Sequence, residues 1–94
     1  MNNFKLIYFS PVDYGTAVEM AYQIGTFHVA LKCHRFPEVT MCIMGVHDET
    51  GSTVSDSMLN NVALSAVLGN AGLYAQNYFK DGAIPLAPLY QLVL

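Results

Sequence analysis

A regular alternation of side chains over residues 27–35 is the feature that most constrains how this chain can fold. One set of side chains points one way and the intervening set points the other way: Phe27, Val29, Leu31 and Cys33 against His28, Ala30, Lys32 and His34. This period of two is that of a β-strand. Phe36-Pro37 interrupts the run, and EVTMCIMGVH resumes as a second β-rich run. The two runs predict a β-hairpin.

The remaining elements follow from shorter patterns. The β-rich segment Phe4–Pro11 predicts a strand, and its largely apolar faces suit a central position in a sheet. Helical spacing of apolar residues predicts a helix of about three turns over residues 13–25. A longer helix is expected over residues 55–80, where Gly69 and Gly72 mark a kink, a break or the close approach of a neighbour. Residues 86–94 read as a last strand.

The predicted order of elements is β-α-β-β-α-β, in one domain that spans residues 1–94. This order is that of the ferredoxin-like fold, a four-stranded antiparallel sheet with two helices on one face. The other face of the sheet is then uncovered, and we expect it to carry Ala30, Met41, Ile43 and Ile7. An apolar open face predicts a homo-oligomer, a dimer or trimer, built on the sheet.

The amino-acid composition indicates that part of the protein surface is covered by another molecule, and it argues against binding to nucleic acid or insertion into a membrane. Apolar residues make up 53% of the chain and charged residues only 12%, about half the usual charged share, which is too little to coat a monomer. Four basic residues cannot form a phosphate-binding patch, so nucleic acid is not expected as a partner. The longest apolar run is too short to cross a membrane and the start lacks a signal-peptide pattern. We expect a soluble, cytoplasmic protein with reduced thiols.

The hairpin contains both cysteines and all three histidines of the chain, which raises the question of a metal site. With a tip at Phe36-Pro37, both cysteines face the core and His28, His34 and His47 lie on the opposite face. A tip longer by one residue moves Cys42 to the histidine face. Because ligands must converge on one ion, neither register completes a metal site within one chain. The longer tip allows at best a His–Cys pair that another chain would complete, and no metal or cofactor is expected.

Two loops carry the candidate site residues. Tyr14 follows the first strand, where an aromatic ring could stack on a planar ligand. The polar loop after the hairpin offers Gly51, Ser52 and Thr53 as an anion-binding group at the start of a helix, or caps for that helix. In the same loop, His47, Asp48 and Glu49 are the candidate acid–base residues.

These observations favour a protein that works by binding. The ligand is either a small nucleotide-like molecule held at subunit boundaries by the Tyr14 loop and the Asp48–Thr53 loop, or a partner protein. The second case would suit a short inhibitor encoded by a virus or mobile element. The alternative is a small lyase or hydrolase whose acid–base site forms between subunits, with His47, Asp48 and Glu49 as its catalytic groups.

Overall fold

The computed structural model of the protein describes residues 2–85 and 89–93, and side chains over residues 4–85. A left-handed turn, Asp13–Gly15, and a single 3₁₀ turn, Asp56–Met58, separate longer elements. The strands and the helix follow in chain order: β1 Asn2–Val12, β2 Ala17–Ile24, β3 Phe27–His34, β4 Thr40–His47, β5 Thr53–Val54, α1 Asn61–Asp81 and β6 Leu89–Val93.

All strand pairs in the sheet are antiparallel, in the spatial order β5-β4-β3-β2-β1-β6. The first five strands therefore form a meander, in which each strand pairs with the next. Helix α1 packs against one face, and β6 returns to pair with β1 at the far edge. Among the described residues, no helix combines the length and apolarity needed to cross a membrane.

The ferredoxin-like prediction is wrong, because the segment predicted as the first helix is strand β2. Apolar side chains at 17, 18, 20, 21, 22 and 24 satisfy a helical period and a period of two equally well. Pairing decides between them: β2 lies between β1 and β3, and the turn at Gly25 (φ 59°) joins it directly to β3. One face of β2 is then buried: Val18, Met20, Tyr22 and Ile24.

The core lies between that face of the sheet and α1. Its members on the sheet come from the first four strands, and the helix contributes one stripe with a spacing of four: Ala63, Val67, Ala71 and Ala75. Three of these four are alanines, which lets the helix lie close to the sheet. Val62 and Leu73 lie off this stripe, and both side chains are more than half exposed.

Helix α1 is continuous through its two glycines, so no break occurs at Gly69 or Gly72. Its start is at Asn61 rather than near residue 55, because the side chain of Asn60 accepts hydrogen bonds from the amides of Val62 and Ala63. The helix ends at Gly82, whose left-handed conformation (φ 71°) lets its amide donate to the Tyr78 carbonyl.

The hairpin β3–β4 is confirmed, but its register differs from the preferred prediction. His34 pairs with Thr40, so the connecting loop is five residues long, and Cys33 pairs with Met41 rather than Thr40. Cys42 therefore lies on the open face, as in the longer-tip alternative, while Met41 and Ile43 pack against the core. Of the residues expected on the open face, Ala30 lies there.

A one-residue bulge at Met44 then exchanges the buried and open faces for the residues of β4 that follow it. Leu31 pairs with Ile43, and the next pair is Ala30 with Gly45, so Met44 has no partner in the ladder. The extra residue keeps Val46 on the buried face and turns His47 to the open face. The predicted last strand is confirmed over Leu89–Val93, and the rest of residues 86–94 lies outside the described residues.

Candidate functional site

The two predicted loops lie at opposite ends of the sheet within one chain. Tyr14 belongs to the β1–β2 connection, whereas the segment from His47 to Thr53 follows the far end of β4. The eight residues of β4 span roughly 23 Å at 3.3 Å per residue. A ligand that contacts both loops of one chain would need at least that length, so the two loops do not form one small-molecule site in a single subunit.

The loop after β4 is a tight turn organised around Asp48. The Asp48 Oδ1 atom accepts hydrogen bonds from the Thr50 amide (2.9 Å), the Thr50 hydroxyl (2.6 Å) and the Ser52 amide (3.0 Å). The Gly51 amide donates to the Asp48 carbonyl at 3.0 Å. These bonds, led by that of the Thr50 hydroxyl, lower the pKa of Asp48 below its ordinary value.

The hydrogen bonds of this turn use backbone amides that the predicted anion site would need. The amides of Thr50, Gly51 and Ser52 already donate to Asp48. The turn connects β4 to β5, and α1 begins only at Asn61, so the loop does not stand at the N-terminus of that helix. Thr53 lies in β5, opposite His47. Glu49 is exposed at the tip of the turn. The loop is held by its own carboxylate, and its polar groups largely satisfy one another.

At the other end of the sheet, Tyr14 occupies an unusual backbone conformation. Three consecutive residues have positive φ: Asp13 (52°), Tyr14 (57°) and Gly15 (85°). The left-handed region costs an L-residue about 1–2 kcal/mol, and a bulky side chain there is rare. The Tyr14 side chain is nevertheless fully exposed, so its ring gains no burial within the chain.

Contacts within the turn, with strand β3 and with helix α1 stabilise this conformation. The amide and hydroxyl of Thr16 both donate to the Asp13 carbonyl, at 3.1 and 2.7 Å. The Asp13 carboxylate pairs with the Lys32 ammonium group at 3.0 Å. On the helix side, a Cβ at Gly15 would stand 3.2 Å from the Tyr78 hydroxyl, a tight contact, and the φ of Gly15 (85°) is one that L side chains rarely adopt.

The β3–β4 loop lies beside this turn, and the Arg35 amide donates to the Thr16 carbonyl at 3.0 Å. The guanidinium carbon of Arg35 is 5.1 Å from the centroid of the Phe36 ring, within cation–π range. Phe36 and Val39 are both exposed. We call the group Tyr14, Arg35, Phe36 and Val39 the loop-end surface.

Sequence reasoning identified only Tyr14 of this surface. The sequence predicts a hairpin tip at Phe36-Pro37, but no local sequence pattern indicates that this tip lies beside the Tyr14 turn. The available signal was the combination of an aromatic residue, an arginine and a proline at a predicted hairpin tip, where an aromatic ring has no core to enter.

The open face of the sheet brings the histidines into a second arrangement. His28 of β3 lies directly opposite His47 of β4, and the row continues on both sides: Thr53, His47, His28, Gln23 and Lys5. His28 is exposed and His47 is half-buried. His34 shares this face six residues further along β3. Among the described residues, no group of three or more His, Cys, Asp or Glu side chains converges on a point that could hold a metal ion.

The two cysteines differ in environment, contrary to the expectation that both face the core. Cys33 is fully buried and burial raises the pKa of its thiol, whereas Cys42 is exposed on the open face. A buried thiol with a raised pKa is a poor nucleophile, so only Cys42 is available to reagents in the folded protein.

Comparisons with models of protein families, with curated protein sequences and with solved structures find no significant match to this chain.

Proposed function

We propose that this protein binds a partner protein through the loop-end surface, with the Tyr14 ring as the central anchor. The observation that supports this proposal is the fully exposed Tyr14 side chain on a turn of three consecutive left-handed residues. Backbone strain that serves no packing within the chain is typical of functional sites. The sequence predicted a binding protein, and the geometry favours a protein partner over a small ligand.

The chemistry of the surface supports a protein partner. Tyrosine and arginine are enriched among the residues that contribute most to binding energy at protein interfaces, and phenylalanine is enriched at such interfaces generally. Here Tyr14, Arg35 and Phe36 lie on two loops joined by the Arg35–Thr16 hydrogen bond. Exposed rings carried on two loops can insert into an apolar pocket of another protein, whereas a small molecule requires a concave site that encloses it.

The rigidity of the turn supports the same conclusion. Because the Thr16 bonds and, to a smaller extent, the partly exposed Asp13–Lys32 ion pair restrain the backbone of the turn, less backbone entropy is lost when a partner binds. The observed geometry gives less support to the homo-oligomer predicted from an apolar open face. Two of the apolar residues on which that prediction relied, Met41 and Ile43, pack against the core instead.

The substitution Tyr14→Asn tests this proposal, because asparagine tolerates the left-handed conformation and removes the ring. We expect the variant to be as stable as the wild type or more stable, by up to about 1 kcal/mol, since strain is relieved and no burial is lost. We also expect partner binding to be lost. Stability is measured by urea unfolding, and binding by affinity purification from the native host followed by titration of the recovered partner.

The matched control is Leu73→Gln, which removes an exposed apolar side chain from the helix surface. This variant should retain the partner. Hydrogen exchange in the complex should show new protection at residues 13–16 and 35–39. A Tyr14→Asn protein that is clearly less stable would show that the ring is structural. Equal partner recovery by wild type and Tyr14→Asn would refute the proposal.

A further inference from the structure

We infer that His28 and His47 together form a binding site for a divalent transition-metal ion of the zinc, copper and nickel group on the open face of the sheet. The two residues are direct cross-strand partners in the β3–β4 pair. This site is independent of the loop-end surface, which lies at the other end of the strands.

Cross-strand pairing brings the Cβ atoms of the two histidines close enough for both imidazoles to reach one ion. Directly opposed residues of an antiparallel pair have Cβ atoms about 4.5–5.5 Å apart. Two Zn–N bonds of about 2.0–2.1 Å at a tetrahedral angle bring the two nitrogens to roughly 3.3 Å. Imidazoles carried on Cβ atoms this far apart reach that nitrogen separation when the two rings lean towards each other by rotation about their side-chain bonds.

The next row of the sheet leaves space for the rings and an ion. Beside the histidine pair lie three small residues on adjacent strands, Gly45, Ala30 and Ala21. The His47 ring lies over Gly45, with its Cε1 atom 3.3 Å from the position that a Cβ at residue 45 would occupy. Glycine at this position accommodates the ring where it stands.

The class of metal follows from the ligands. Neutral imidazole nitrogen suits zinc, copper and nickel, whereas magnesium and calcium require oxygen ligands. The chain provides two ligands here, and water fills the remaining positions. Such a site binds an exchangeable ion, in contrast to a closed structural site with four protein ligands.

The bulge at Met44 creates this pairing. Without the extra residue, the alternation that buries Met41 and Ile43 would turn His47 towards the core. Bulges that reorient one side chain are frequent next to functional sites. The sequence prediction of no metal site depended on two hairpin registers, and neither register places His28 opposite His47.

The experiment is a zinc titration of the untagged protein, followed by the ¹H NMR signals of the three imidazoles. A Cys42→Ser background removes the exposed thiol as a competing ligand. We expect the signals of His28 and His47 to shift together and saturably, and the signal of His34 to stay in place. His28→Gln or His47→Gln should each weaken zinc binding by roughly tenfold or more.

The matched control is His34→Gln, which removes a histidine on the same face but six residues away along β3. This variant should bind zinc like its parent. All variants are checked by far-UV circular dichroism, since these partly exposed side chains should not affect folding. Equal shifts of all three histidines, or a His47 shift that persists in His28→Gln, would overturn the inference, as would the absence of any shift.

Discussion

The hydrogen bond between Tyr22 and Asn70 links the centre of the sheet to the middle of helix α1. The Tyr22 hydroxyl donates to the Asn70 Oδ1 atom at 2.6 Å, and the Tyr22 side chain is fully buried. Burial, and to a smaller extent the neighbouring Tyr74, raises the pKa of Tyr22 well above its ordinary value. The contact can be tested by a double-mutant cycle with Tyr22→Phe and Asn70→Ala.

The two single variants should lower the free energy of unfolding by different amounts. Tyr22→Phe removes one neutral hydrogen bond, and half-buried Asn70 can turn to water, so the free energy of unfolding should fall by about 1 kcal/mol. Asn70→Ala leaves the buried Tyr22 hydroxyl without its partner, a cost of about 1–3 kcal/mol, against a gain of roughly 0.6 kcal/mol in helix propensity. The double variant has no orphaned group, so we expect a coupling energy of about 1 kcal/mol.

Urea unfolding followed by far-UV circular dichroism measures all four proteins, and additive effects of the two substitutions would refute this reasoning. The raised pKa supplies a second readout. Above the ordinary tyrosine pKa of about 10, the unfolded chain ionises at Tyr22 while the folded chain does not. Wild type should therefore lose stability with rising pH faster than Tyr22→Phe, and the difference between them should narrow. Parallel pH curves would contradict the assigned burial.

Three further predictions concern single groups. In the native protein a thiol reagent should modify Cys42 quickly and Cys33 only after denaturant is added, as read by mass spectrometry; equal rates would contradict the observed register. Gly69→Ala should raise the free energy of unfolding by about 1 kcal/mol, because a Cβ there meets nothing within 4 Å and alanine favours a helix; a loss of stability in urea unfolding would argue for a break at this position. Ionised Asp48 favours the folded state because its pKa is lowered, so its contribution is complete above the ordinary aspartate pKa and is lost as pH falls through the lowered value. Asp48→Asn should flatten the acid side of a melting-temperature curve, and an unchanged slope would contradict the turn geometry.

Local patterns determined which segments of this chain form a strand or a helix wherever a single period dominated. The alternation from Phe27 to His34 correctly predicted β3, and the helical pattern over residues 55–80 correctly predicted α1 except for its start. Alternation also separated Cys33 from His34 and placed His28 and His34 on the same face of β3. These statements depend only on the geometry of one strand, which successive residues specify by themselves.

Tertiary pairing decided the rest, because a periodic pattern reports the face of a residue and not its partner. Strand β2 fits two periods, and only its place between β1 and β3 excludes the helix. The five-residue loop and the bulge at Met44 shift the register by one residue each, which moves Cys42 outwards and sets His28 opposite His47. The Tyr14 turn joins the Phe36 loop through one backbone hydrogen bond between distant segments, and no local pattern records such a contact.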